Sequence, residues 1–196
     1  MRDNMLHIIV AITGATGAPL AVKVIQQLKE LNVNVHLIVS KWGKVTINHE
    51  CDISYRQLCD MVDVVYSNHD QGATISSGSF KTDGMIIVPC SMKTLAAIRC
   101  GFADNLISRA ADVILKERRK LVIVPRETPL STIHLDNLHY LSQLGVTIVP
   151  PNPAFYHQPK TIDDILTHIS VRILDQFNLT HPAAKNWQGL NATDNK

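Results

Sequence analysis

The chain has 196 residues, of which 45% are hydrophobic and 18% charged, and its formal net charge is +2. That length fits one domain, or a domain plus a tail, with enough apolar residues to bury a core. So small a positive excess, with Lys116–Lys120 as the one dense basic run, gives no reason to expect nucleic acid or an anionic membrane as partner.

The first apolar run, His7–Thr13, is too short and wrongly flanked for a signal peptide. It runs into Thr13-Gly14-Ala15-Thr16-Gly17. Ala18–Leu31 follows as a helix with Leu20, Val24, Leu28 and Leu31 on one face. Further apolar runs lie at Asn34–Val39, Gly84–Pro89, Leu121–Pro125 and Val146–Val149. They are rich in Val and Ile and nearly continuous, as strands covered on both faces are. Helical patterns recur at Ile133–Leu144 and Ile162–Leu174, and a third helix holds Arg109 and Lys116 two turns apart on one side. This alternation predicts an α/β protein with a parallel sheet between helical layers. Nothing reaches a membrane-spanning length. Cys51, Cys59, Cys90 and Cys100 lack CxxC spacing, so the expectation is a cytoplasmic protein with reduced thiols. Residues 1–179 read as the folded domain and 180–196 as a polar tail that frays or docks on a neighbouring subunit.

Ligands of an open parallel sheet sit beyond the carboxyl ends of its strands. Those exits carry Gly14–Gly17, then Ser40-Lys41-Trp42, then Ser91-Met92-Lys93-Thr94, then Arg126-Glu127, then Pro150–Tyr156. The glycine-rich turn before a helix suits a phosphate, although a tight turn with no ligand reads the same way. A dinucleotide site usually has an acidic residue after the second strand. Ser40 there favours a mononucleotide, or simply caps the next helix. Ser91 has the same two readings. Ser76-Ser77-Gly78-Ser79 is either a plain loop or a second ligand-contacting one. Arg109 and Lys116 fit a surface helix face as well as an anion site, and Arg118, Arg119 and Lys120 read as a solvated helix end. His49-Glu50 invites a metal, but no H-x-x-x-H and no cysteine cluster accompanies it, so none is expected.

TGATGAP, Ser40, His49-Glu50, SSGSF, PCSMKTLA, the run from Arg109 to Arg119, PRETPL and PAFYHQP together resemble the UbiX-type flavin prenyltransferases. The resemblance spans about Ile8 to Trp187, and its details are closer to the branch accompanying phenolic-acid decarboxylases. It implies a flavodoxin-like three-layer α/β/α fold and a homododecamer. It implies FMN held by Gly14, Ala15, Thr16, Ser40, Ser91, Met92, Lys93, Thr94 and Arg126, with no metal. Dimethylallyl monophosphate would be held by Tyr156 and Arg172, helped by Arg109, Lys116, Arg126 and Trp187. Thr16, Glu50, Lys116 and Glu127 would act in catalysis, with Glu50 taking a proton from the flavin. The product, prenylated FMN, would pass to a partner decarboxylase. The alternatives are a flavin-dependent cysteine decarboxylase of the same fold and a non-catalytic FMN-binding subunit. PCSMKT departs from the cysteine decarboxylases' PASANT.

Overall fold

The computed structural model describes residues 5–184 and Gly189. Among them, strands β1 (His7–Ile12), β2 (Asn34–Val39), β3 (Val64–Ser67), β4 (Gly84–Cys90), β5 (Lys120–Pro125) and β6 (Thr147–Ile148) form one sheet. Every pairing is parallel, in the order β3-β2-β1-β4-β5-β6. The helices are α1 (Ala18–Glu30), α2 (Lys41–Glu50), α3 (Tyr55–Asp60), α4 (Met92–Cys100), α5 (Leu106–Lys116), α6 (Thr132–Gln143) and α7 (Ile162–Leu174). This is the expected flavodoxin-like α/β arrangement.

Strand side chains alternate between two cores, as a pleated strand requires. Ile8, Val10 and Ile12 of β1 join Leu20, Val24 and Leu28 of α1 and Ile169 and Ile173 of α7 in one. Ile9 and Ala11 join Leu95 of α4, Leu106, Ala110 and Ile114 of α5 and Leu141 of α6 in the other. Thus α1 and α7 cover one face of the sheet, and α4, α5 and α6 the opposite face.

Two sequence expectations need correction. β3 was not anticipated: it is an edge strand of four residues in which half-buried and exposed positions alternate, so it shows no continuous apolar run. Arg119 is not part of a solvated helix end. Helix α5 stops at Lys116, and the Arg119 side chain, only 13% exposed, donates to the Gly78 and Phe80 carbonyls at 2.6 and 2.9 Å.

The sheet order reverses at β1, whose neighbours are β2 and β4, and it is at such a reversal that open α/β sheets form a ligand crevice at their carboxyl ends. Helix α2 lies close over this edge. A Cβ on Gly43 would sit 2.6 Å from the Ile12 carbonyl oxygen and 3.0 Å from Val39 Cγ1. Gly43→Ala is therefore expected to lower folding stability by about 1–3 kcal/mol, read as a lower urea midpoint at unchanged slope. An unchanged midpoint would show that α2 can lift off the rim without cost.

Candidate active site

The rim of the crevice is tied together by the buried Thr13. Its hydroxyl donates to the Pro89 carbonyl and accepts from the Ser91 N–H, both at 2.8 Å, which locks the β1 exit to the β4 exit. The β2 exit joins them through Ser40 N–H to Ile12 O at 3.0 Å, and the β5 exit through Arg126 N–H to Cys90 O at 3.1 Å. Gly14, Ala15, Thr16, Ser40, Ser91, Met92, Lys93, Thr94, Arg126 and Glu127 all lie on these four exits. Sequence reasoning placed Thr13 at the start of the first exit but gave it no role.

Ser40 and Ser91 are helix caps. The Ser40 hydroxyl accepts from Gly43 N–H at 3.0 Å, and Ser91 accepts from Thr94 N–H at 3.3 Å. Capping satisfies one donor and leaves earlier amides of α2 and α4 open toward the crevice. Gly14 packs flush on Trp42, so a Cβ there would collide with the Trp42 Cβ. The glycine thus lets the β1 exit close against Trp42 in the first turn of α2.

The turn before α1 departs from expectation. Its helix N-terminus is already taken by a carboxylate: Glu50 Oε2 accepts from Gly17 N–H at 2.8 Å and from Ala18 N–H at 3.0 Å. A phosphate seated on those amides would face that negative charge, so the N-termini of α2 and α4 are the better phosphate seats. Burial raises the Glu50 carboxyl. The Gly17 N–H, the Thr16 hydroxyl and the Ala18 N–H, with His49 nearby, outweigh burial and hold it below the usual carboxylate range. Cys90 also ends at this rim, but complete burial pushes its thiol up, so it is no nucleophile at neutral pH.

The cations proposed for a phosphate do not converge within one chain. Arg109 and Lys116 lie on α5 and both face the Ser76–Ser79 turn. Arg109 Nε donates to the Ser76 carbonyl at 3.1 Å and its Nη1 pairs with Asp112 at 2.7 Å. A Cβ on Gly78 would meet the Glu117 carboxylate first and then Lys116 Nζ at 2.8 Å, and Lys116 is itself paired with Glu117 at 2.5 Å. Arg172 is on α7, across the sheet, paired with Asp175 at 2.6 Å. Tyr156 joins it there, its hydroxyl 3.3 Å from His168 Nε2 one turn before Arg172. Burial, then His157 and Arg172, lower the pKa of His168. Trp187 lies outside the described residues. The start of the tail folds back on its own chain, where the buried His181 meets Glu30 at 2.7 Å. Among the described residues no group of His, Cys, Asp or Glu could hold a metal ion, and no helix is long and apolar enough to cross a membrane.

The flavoprotein family profile matches residues 1–174. A protein of Escherichia coli O157:H7 named "Probable UbiX-like flavin prenyltransferase" is 60% identical over 186 residues, 94% of each chain. The chain belongs to the UbiX-like flavoproteins. Two solved structures extend this likeness to three dimensions. AnUbiX in complex with FMN and dimethylallyl pyrophosphate superposes with a TM-score of 0.94 at 50% identity, covering 95% of this chain and 99% of that one. A dodecameric FMN-dependent UbiX-like decarboxylase from Escherichia coli O157:H7 gives 0.93 at 59% identity, covering 94% and 100%. In this UbiX-like chain the family motifs fall on the crevice rim and on two outlying patches.

Proposed function

We propose that this chain is a flavin prenyltransferase that joins the dimethylallyl group of dimethylallyl monophosphate to N5 and C6 of reduced FMN. The observation that carries the reading is the Glu50 carboxylate seated on the α1 N-terminus, beside a rim whose capping hydroxyls and helix-start amides suit a phosphate. Gly14, Ala15 and Thr16 would lie along the flavin ring. The open amides after Ser40 and Ser91, with Lys93, Thr94 and Arg126, would hold the FMN phosphate. Reduced FMN, when bound, supplies the nucleophilic atoms that take the allyl group.

The chain's own work is then electrostatic and proton handling. As the allyl C–O bond breaks, negative charge gathers on the departing phosphate, and Arg109, Lys116, Arg126 and Arg172 would stabilise it. Tyr156 would donate to the same phosphate. Glu50, held ionised, would accept the proton released at the rim, directly or through the Thr16 hydroxyl, and Glu127 would serve the phosphate side.

Because the α5 and α7 patches lie on opposite faces of the sheet, a complete site draws on neighbouring subunits. The rim of one chain would meet the Arg109–Lys116–Ser77 patch and the Tyr156–Arg172 patch of others. A homo-oligomer follows, and we take it to be a dodecamer like the Escherichia coli relative. The enzyme would act in the cytoplasm and hand prenylated FMN to a hydroxyarylic acid decarboxylase. The test is anaerobic mixing of the protein with reduced FMN and dimethylallyl monophosphate, followed by mass spectrometry of the extracted flavin. A mass gain of one dimethylallyl unit is expected. Bound but unmodified FMN would move the reading to a cysteine decarboxylase or a non-catalytic flavin subunit.

A further inference from the structure

A histidine is buried in the middle of β2. His36 is 3% exposed and lies between the β1 residue Ile9 and the β3 residue Val64. Both of its ring nitrogens are engaged. Nε2 lies 3.1 Å from His7 Nδ1, and Nδ1 lies 3.0 Å from the Tyr66 hydroxyl. That hydroxyl lies 3.0 Å from Thr74 Oγ1. A row of four polar side chains thus runs from the first residue of β1, under the sheet, to the start of the segment Thr74–Phe80. The far end of that segment returns to the same histidine, with the Phe80 ring edge-on to His36 at a centroid distance of 5.5 Å. His36 therefore contacts one end of the segment directly and the other through Tyr66.

The opposite side of the segment is held by guanidinium groups. Arg109 takes the Ser76 carbonyl, and Arg119 takes those of Gly78 and Phe80. Alternate carbonyls at 76, 78 and 80 are thereby bound to cations rather than left to repel an anion. What remains on the outer side is the pair of hydroxyls of Ser77 and Ser79, 2.8 Å apart, beside Lys116 and the Glu117 carboxylate paired with it, a pairing that an arriving phosphate would have to exchange for its own. Buried polar groups are costly unless satisfied. A chain that places both a histidine row and an arginine beneath one short turn invests them in the shape of that turn.

We propose that His36, through Tyr66, and Arg119 are positioning residues for the Thr74–Phe80 segment, and through it for the phosphate of the allyl donor. Neither touches the rim where the flavin would lie. The inference rests on the reading above, in which the Ser77 turn with Arg109 and Lys116 receives that phosphate. Its physical content is geometric: donors displaced by about 1 Å lose much of their hold on a reacting group, although every donor is still present.

The test uses variants that leave the packing in place. Tyr66→Phe removes only the hydroxyl linking His36 to Thr74, and Arg119→Gln removes the charge while retaining most of the stem. Each is expected to raise KM for dimethylallyl monophosphate about 10-fold with kcat at saturation within about twofold, and with FMN affinity by fluorescence quenching unchanged. Arg119→Lys is expected to recover part of the loss. Ser77→Ala and Lys116→Ala serve as direct probes of the turn. If these two raise KM while Tyr66→Phe and Arg119→Gln leave it unchanged, the positioning role is overturned and the phosphate reading stands. If Ser77→Ala and Lys116→Ala also leave KM unchanged, the phosphate lies elsewhere and both fall. Equal loss of FMN affinity and allyl donor affinity in Tyr66→Phe would mark a general loosening and likewise overturn the proposal.

Discussion

Glu50→Gln is expected to slow dimethylallyl transfer by about 100-fold or more while the protein still folds and still binds FMN. The amide oxygen of glutamine can accept from both Gly17 and Ala18 N–H groups, as Glu50 Oε2 does, so the start of α1 keeps its partners. What the amide cannot do is take a proton. Single-turnover rates from quenched samples, with flavin mass as the readout, separate transfer from binding. The wild-type pH profile follows from the same contacts. The folded carboxyl titrates below its ordinary 4.5, so Glu50 is already ionised across neutral and mildly acid pH. Activity that depends on the carboxylate is present above the usual carboxylate range and falls only as pH drops through the lowered folded value. The hydrogen bonds to Gly17 and Ala18 stabilise the fold over the same range and are weakened at that acid limit. An acid limb near neutral pH, or a Glu50→Gln rate within a few-fold of wild type, would remove Glu50 from proton transfer.

The central strands were legible because they are covered on both faces. β1, β2, β4 and β5 appear in the sequence as nearly continuous apolar runs rich in Val and Ile, and their ends fall within a residue or two of the structure. β3 was hidden by its place at the edge, where Val65 can face solvent. The rim could be read for a related reason: residues that follow a buried parallel strand must emerge on one edge, whatever the packing of the helices. The seat of Glu50 could not. It depends on α2 lying across the rim and bringing residue 50 to residues 17 and 18, a matter of tertiary packing that no local pattern records. Arg119 was misread by the same logic. A basic run gives no sign of which of its members turns inward to backbone carbonyls on a distant loop.

Arg109 and Arg172 pose the sharper question, because sequence resemblance gathers them around one phosphate and the fold separates them. The sheet and both its cores stand between α5 and α7. No side-chain rotation crosses that distance, so one phosphate can meet both residues only where two subunits abut. Arg109→Ala and Arg172→Ala are each expected to lower kcat/KM for dimethylallyl monophosphate about 100-fold when assembled alone. Co-expressed with different affinity tags and purified as mixed oligomers, the two variants are expected to recover activity. A site that takes Arg109 from one chain and Arg172 from another is intact in about a quarter of cases when equal subunits mix at random, so recovery approaches about a quarter of the wild-type rate. A site built within one chain gives none, since every chain in the mixture lacks one of the two arginines. Tandem purification confirms mixing independently of activity. Recovery therefore reads the geometry of the site, and a mixed oligomer no more active than its parents would return both arginines to separate, non-catalytic roles.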